Sequence, residues 1–276
     1  MAPPSDTAKP SDLPTRLISA AILGPVVLVA AWLGGPLLSA LAVAAAGLMG
    51  WEWARLTEHG RFDRLGLLMV VGEVAGVGAA ALGAFPLALV LLCAVALAVV
   101  LIANAEGRAS APWAALGALW IGFPSVALIW LAADPATGRA TVLWLLAVVW
   151  ATDTAAYFVG RAVGGPKIAP RWSPKKTWSG ALGGLAAAVV VGLVTGQIIG
   201  GNGVSRLLWV SPIVSVASQL GDLGESLAKR HFGVKDASGL IPGHGGFLDR
   251  LDGMLAALAA VAALVLATGA SPVAWE

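Results

Sequence analysis

Long apolar runs set the strongest constraint on what this chain can fold into. Nine stretches each approach the roughly 20 residues that an α-helix needs to cross hydrocarbon. Inside a bilayer the backbone must satisfy its own hydrogen bonds, and uninterrupted apolar runs do so as helices, not as alternating barrel strands. We predict an all-α, polytopic integral membrane protein with spans near residues 17–34, 37–54, 65–83, 85–103, 112–131, 141–160, 180–200, 206–228 and 251–270.

The composition supports this fold class and excludes a soluble domain. Hydrophobic residues make up 58% of the chain and charged residues 12%, against roughly 25% charged residues in a soluble domain. The 35 glycines and the abundant alanines permit close helix packing in lipid. The single cysteine, Cys93, excludes an intrachain disulfide and a Cys/His zinc site, and we interpret it as a buried small apolar residue.

The distribution of lysine and arginine predicts the topology. With the N-terminus in the cytosol, 15 of the 17 basic residues fall on the cytosolic side, and only Arg139 and Arg206 fall outside. The loops 161–179 and 229–250 then share the cytosolic face. We divide the chain into a disordered cytosolic tail at 1–15, transmembrane scaffold helices over 16–135, and C-terminal transmembrane helices over 136–276, whose cytosolic loops carry the candidate catalytic residues described below.

The end of the eighth predicted span carries a polar stripe. Asp222, Ser226 and Lys229 are spaced i, i+4 and i+7, which puts them on one helical face with Glu225 beside them. An acid, a hydroxyl and a base at the membrane edge suit a metal ion and a phosphate. The alternative is a solvated helix end with i,i+4 ion pairs, but this does not explain why Asp222 lies on the apolar side of Lys229.

A glycine turn and two acids open the ninth predicted span. Asp249 and Asp252 lie at i and i+3, and the turn Gly243-His244-Gly245-Gly246 precedes them. Glycine lets consecutive N–H groups approach an anion, while His244 could donate to a phosphate or only order the turn. An ordinary connecting turn and a helix-capping role for Asp249 are the alternatives.

The sixth predicted span and the loop after it hold a second polar group. Asp153 lies in apolar surroundings, where a carboxylate needs a cation or a hydrogen-bond partner. The segment 173–177, Ser-Pro-Lys-Lys-Thr, leads into a helix start at Gly180, and its lysines and hydroxyls suit a triphosphate. Anchoring by positive charge is the alternative for the lysine pair. For Glu73, inside the third span, we favour a paired or interfacial position over a proton relay.

Together these motifs form a pattern that resembles the signature of the phosphatidate cytidylyltransferases, also called CDP-diacylglycerol synthases. A match of this length and fixed spacing is specific. Ala228 stands where the family usually has a larger apolar residue, which changes packing and leaves the chemical positions intact. The pattern comprises Ser226, Lys229-Arg230, Lys235-Asp236, Ser238, Pro242, His244-Gly245-Gly246, Asp249-Arg250 and Asp252, and the Ser-Pro-Lys-Lys-Thr segment resembles the family's second block.

The resemblance implies transfer of a cytidylyl group from CTP to phosphatidic acid, with no nucleic-acid partner. It implies Mg²⁺ at Asp222 and Asp249, and a second cation is left open. Catalytic roles are expected for these two acids and for Lys229, Ser226, His244 and Asp252. Substrate-binding roles are expected for Asp153, Lys175, Lys176, Thr177, Arg230, Lys235, Asp236, Gly245, Gly246 and Arg250, and the loop 161–179 is the best region for cytosine recognition.

The resemblance also suggests a homodimer, and the alanine-rich composition with short loops favours a bacterial inner membrane, with the active site facing the cytoplasm. Three alternatives remain: another membrane lipid-phosphate or polyprenol transferase or kinase, a secondary transporter with Asp153 and Glu73 in its spans, and a noncatalytic scaffold. The dense charged loops argue against the last two. The Asp-Gly-x-x-Ala-Arg block of CDP-alcohol phosphotransferases is absent.

Overall fold

The computed structural model describes residues 13–200, 203–242 and 245–274, and these ranges contain nine α-helices. Most of the predicted tail, and His244 with its proposed role, lie outside the described residues. The helices are α1 Leu13–Leu33, α2 Gly35–Thr57, α3 Arg64–Ala81, α4 Phe85–Ala105, α5 Ala111–Ala132, α6 Gly138–Val163, α7 Trp178–Ile199, α8 Gly203–His231 and α9 Leu248–Thr268.

Seven of these helices, α2 to α7 and α9, are long and apolar enough to cross a membrane. In α1 the apolar helical part, Ala21–Leu33, is shorter. Although α8 is 29 residues long, it buries polar side chains such as Ser211, Ser215 and Glu225. The prediction of an all-α, polytopic membrane protein is confirmed, and a membrane-spanning role for α1 and α8 stays a prediction.

Two apolar cores hold the bundle, and α9 packs against both of them. Helices α2 to α5 surround the first core, which includes Trp53. Helices α6 to α8 surround most of the second, which includes Trp144. Leu255 of α9 belongs to the first core and Leu258 to the second. The N-terminal end of α9, where Asp249 and Asp252 lie, is therefore fixed between the two halves of the bundle.

Two glycines bring α8 and α9 unusually close together. A Cβ atom on Gly221 would lie 2.6 Å from the backbone oxygen of Asp252, and one on Gly253 would lie 2.6 Å from Oγ of Ser218. Real side chains do not tolerate such distances, so only glycine permits this approach. As a consequence Asp222 of α8 and Asp252 of α9 come within electrostatic range of each other.

A short hairpin lies between α6 and α7. Strand β1, Lys167–Ala169, pairs antiparallel with β2, Ser173–Thr177. The hairpin lies within 161–179, which we predicted as a loop between two helices, and it forms because this polar backbone lies outside the apolar spans and can pair across a turn. Oγ1 of Thr177 accepts a hydrogen bond from the Gly180 amide at 3.1 Å and caps α7, which explains why the helix begins near the predicted position.

Two residues in the spans lie in environments that differ from the predictions. Glu73 is 0% exposed, and neither carboxylate oxygen has a hydrogen-bond partner among the described residues. A Cβ atom on Gly50 would lie 2.1 Å from Oε2 of Glu73, so this side chain fills space that a glycine of α2 leaves open. The predicted pairing or interfacial position is therefore wrong. Cys93 is exposed, not buried, because it lies on the outward face of α4.

Replacing Gly221 with alanine tests the close approach of α8 and α9. The added methyl group would clash with the Asp252 carbonyl, which cannot move without shifting α9. We expect Gly221→Ala to destabilise the protein by about 1–3 kcal/mol, measured by thermal unfolding in detergent. Gly224→Ala on the same helix is the control, since no atom lies within 4 Å of its added Cβ. An equal loss of stability in the two variants would contradict this packing.

Candidate active site

A buried ion triad joins α8 to α9. Nζ of Lys229 contacts a carboxylate oxygen of Glu225 and lies 2.5 Å from Oδ1 of Asp249. The exposed fractions of the side chains are 12% for Lys229, 0% for Glu225 and 5% for Asp249. Desolvation of three charges makes such a triad a weak source of stability, so its presence points to a role in binding or chemistry.

The second carboxylate oxygen of Asp249 orders the turn before α9. Oδ2 accepts hydrogen bonds from the amides of Ala237 at 2.9 Å and Gly246 at 2.8 Å. Gly245 has a φ of 84°, and a Cβ atom there would lie 2.9 Å from this oxygen. The Gly246 amide thus binds the Asp249 carboxylate, which is the capping role given above as the alternative, and binding of a substrate phosphate by the turn stays a prediction.

Glu52 of α2 is a further member of the site, and it was not singled out from the sequence. Its side chain is 0% exposed and accepts hydrogen bonds from Oγ of Ser238, from the Phe247 amide at 2.9 Å and from the Leu248 amide at 2.6 Å. The carboxylate therefore lies at the positive end of α9. A Cβ atom on Gly246 would lie 2.4 Å from Oε1 of Glu52, so glycine is required at that position. An acid inside an apolar run is the signal that could have identified it.

The hairpin contributes a second ion pair. Lys176 of β2 contacts Oδ2 of Asp222, which is 39% exposed and so remains accessible. Asp153 of α6 lies within electrostatic range of both groups, and Asp252 lies within range of Asp222 and of the Lys229 triad. The two polar groups predicted from the sequence are thus one unit. This acid–base cluster comprises Asp153, Lys176, Asp222, Glu225, Lys229, Asp249, Arg250 and Asp252.

Three other predicted site residues surround the acid–base cluster. Arg230 donates from Nε to the Trp172 carbonyl at 3.3 Å and from Nη1 to the Val234 carbonyl at 3.1 Å, which ties the end of α8 to the hairpin. Thr177 is buried, and its side chain caps the start of α7. Ser226 is half-buried on α8, and its hydroxyl makes no hydrogen bond within the described part of the chain.

The remaining predicted residues lie in the loops at the same end of the bundle. Lys175 on β2 and Lys235 after α8 are exposed, and neither forms an ion pair with a described residue. Asp236 is exposed beside Ala237, whose amide binds Asp249. These groups are therefore accessible to a soluble ligand that approaches the acid–base cluster.

Negative charge exceeds positive charge in the acid–base cluster. Five carboxyl groups face three basic groups, which leaves a formal charge of −2 when all are ionised. Carboxylate oxygens with excess negative charge suit a hard divalent cation. Among the described residues no group of three or more His, Cys, Asp or Glu side chains is arranged to hold a metal alone. An ion here would therefore take further ligands from a bound phosphate or from water.

A separate ionic network ties together the neighbouring loops. Arg108 contacts Asp63 at 2.6 Å, Glu58 at 3.1 Å and Glu106 at 2.6 Å. Hydrogen bonds from Arg64 and from Arg108 lower the pKa of the Glu106 carboxyl. The network joins the α2–α3 connection to the α4–α5 connection, and so it steadies the end of α2 that carries Glu52.

Replacing Glu52 with glutamine tests its role at the start of α9. A glutamine has one acceptor oxygen for three donors, and its NH₂ group would face backbone N–H groups. We expect Glu52→Gln to lower stability by about 1–3 kcal/mol and to speed hydrogen exchange of the Phe247 and Leu248 amides. Asp134→Asn, at the other end of the bundle, is the control and should leave exchange at these two amides unchanged. Unchanged exchange at these two amides would contradict the role of Glu52.

Comparison with known proteins matches nearly the whole chain. Over 262 residues it is 42% identical to the phosphatidate cytidylyltransferase of Brucella suis biovar 1 (strain 1330), covering 90% of this chain and 92% of the relative. The relative of the same name from Pseudomonas aeruginosa is 37% identical, covering 93% of this chain and 98% of its own length. The one from Haemophilus influenzae is 34% identical, covering 89% of this chain and 96% of its own length. Residues 14–268, which include the whole acid–base cluster, match the model described as the cytidylyltransferase family, and the chain therefore belongs to that family.

Proposed function

We propose that this protein transfers a cytidylyl group from CTP to phosphatidic acid, giving CDP-diacylglycerol and pyrophosphate. Its relatives carry the name phosphatidate cytidylyltransferase over almost their full lengths. The observation that carries the proposal is the acid–base cluster at one end of an apolar bundle. Both substrates are polyanions, one soluble and one held in the bilayer, and they must meet where lysines and a cation can offset their repulsion.

Magnesium fits the residues that would hold it. The cluster offers only carboxylate oxygens to a metal and has an excess of two negative charges, and Mg²⁺ commonly takes one or two carboxylates together with substrate phosphates. We propose Asp222 and Asp249 as its ligands. Asp222 is accessible beside Lys176. Oδ1 of Asp249 contacts Lys229, and it would be free to hold the ion if Lys229 bound a substrate phosphate instead. A bound Mg²⁺ would neutralise charge on the phosphates.

The chemistry requires no nucleophile from the protein. A phosphate oxygen of the lipid, already ionised near neutral pH, attacks the α-phosphorus of CTP in line, and the bond to the pyrophosphate oxygen breaks as the new P–O bond forms. Lys229 and Lys176 are each held by a carboxylate, Lys229 in a buried contact and Lys176 in a half-exposed one, and both are positioned to bind phosphate oxygens. Lys175 and Lys235 are exposed and suit the leaving pyrophosphate. The protein would act by positioning and electrostatics.

We further propose a bacterial inner-membrane location, with the N-terminus and the acid–base cluster on the cytoplasmic side, where CTP is made. The concentration of lysine and arginine at the cluster end supports this orientation. Labelling of a Lys235→Cys variant by an impermeant maleimide in inverted vesicles, but not in intact cells, tests it. A homodimer is also proposed, since the glycine- and alanine-rich spans permit close helix contacts between copies.

The transfer reaction itself can be measured with purified protein in micelles containing phosphatidic acid, Mg²⁺ and CTP labelled at the α-phosphate. Label should enter the extracted lipid with release of pyrophosphate. Asp249→Asn should reduce this rate at least about 100-fold, because Lys229 loses its charged partner and the turn loses a strong acceptor. Asp134→Asn, at the other end of the bundle, should retain the rate. Absence of label in the lipid, or full activity of Asp249→Asn, would contradict the proposal.

A further inference from the structure

A cavity of about 440 Å³ lies beside the acid–base cluster and has no role in the chemistry above. It is formed between the end of α2 and the loop that follows α8. Its volume falls within the range of small-ligand sites and accommodates a nucleoside. The lining residues are Trp51, Arg55, Leu56, Gly60, Val234, Asp236, Ala237, Ser238, Gly239 and Leu240.

The wall of this cavity is bonded directly to the acid–base cluster. The amide of Ala237 donates to Asp249 at 2.9 Å, and Oγ of Ser238 donates to Glu52, the residue that also holds the start of α9. The cavity therefore adjoins the acid–base cluster, and in the proposal below a nucleotide with its phosphates at the cluster places its base in this cavity. Because both contacts are to lining residues, the cavity is also fixed in position relative to the reacting groups.

Arg55 is held in a defined orientation at the cavity. Its guanidinium carbon lies 4.8 Å from the centre of the Trp51 ring, and Nε donates to the Gly60 carbonyl at 3.1 Å. Stacking and this hydrogen bond fix the plane of the guanidinium group. Its terminal NH₂ groups make no hydrogen bond or ion pair within the described ranges, and so they can donate to a ligand.

Asp236 supplies a hydrogen-bond acceptor to the cavity, whereas Arg55 supplies donors. Asp236 lines the cavity, is exposed, and forms no hydrogen bond or ion pair with any described residue. An ionised carboxylate only accepts hydrogen bonds. The cavity thus presents one fixed donor group and one acceptor group beside an aromatic ring.

We propose that this cavity binds the cytosine ring of CTP, with Asp236 accepting from the exocyclic N4 amino group and Arg55 donating to N3 and O2. This rests on the proposed use of CTP at the acid–base cluster. In protein–DNA complexes, Asp and Glu carboxylates accept hydrogen bonds from the N4 amino group of cytosine. Uracil carries an oxygen at that position, which would face the carboxylate, and an N3–H group, which would face Arg55. The cavity would therefore select CTP over UTP, and base selection would reside here and not in the loop 161–179.

The ratio of kcat/KM for CTP to that for UTP tests the proposal in the lipid-transfer assay. Asp236→Asn replaces the carboxylate with a group that can donate to O4 of uracil. We expect the ratio to fall about ten- to hundredfold in this variant, and to fall by a smaller factor in Arg55→Lys, which cannot form a planar fork. Arg61→Lys, exposed near the end of α2 and outside the cavity lining, should leave the ratio unchanged.

Partial misfolding of a variant lowers the rates with CTP and with UTP by the same factor, so it leaves their ratio unchanged. A ratio that stays at the wild-type value in Asp236→Asn would overturn the base-binding proposal, as would a wild-type enzyme that uses UTP as well as CTP. Equal losses with both nucleotides would assign Asp236 to the ribose or to phosphates, which also overturns it. Failure of the underlying function is distinguishable, because the wild-type protein would then transfer label from no nucleotide.

Discussion

The contact between Lys229 and Asp249 is the interaction on which the rest of the site depends. It joins α8 to α9 at a point where the two side chains are 12% and 5% exposed, and Glu225 adds a second acid at the same lysine. Burying such charges contributes little to stability, since desolvation offsets most of the attraction. A role in substrate binding explains the triad better, because Lys229 can replace its contact with one of the two carboxylates by a contact with a phosphate.

The surrounding structure keeps these charges in place. Glu52 reaches from α2 to the first amides of α9, and Gly221 allows α9 to lie against α8 without an intervening side chain. Apolar packing then fixes α9 between both halves of the bundle. Thus the same few close contacts that determine the helix arrangement also determine the distances among the acids. A change at Gly221 should therefore affect the site as well as the fold.

The sequence predicted those features that depend on local patterns. Apolar length predicted the helices, and helical spacing put Asp222, Ser226 and Lys229 on one face. Contacts between residues far apart in the chain could not be predicted from local patterns. For example, the Phe247 amide donates to Glu52, which lies 195 positions earlier. Glu73 was misjudged for the same reason, because its environment depends on Gly50 of a neighbouring helix. The hairpin escaped prediction because its two strands of three and five residues carry too little periodicity.

A cluster with more acids than bases should bind a polyanionic nucleotide well only together with a divalent cation. Equilibrium binding of CTP to the protein in detergent can be measured by titration calorimetry with Mg²⁺ and again with a chelator. We expect measurable binding with Mg²⁺ and at least about tenfold weaker binding without it, because the lysines alone do not offset the charge of the acids and the triphosphate. Equal affinity under both conditions would contradict it.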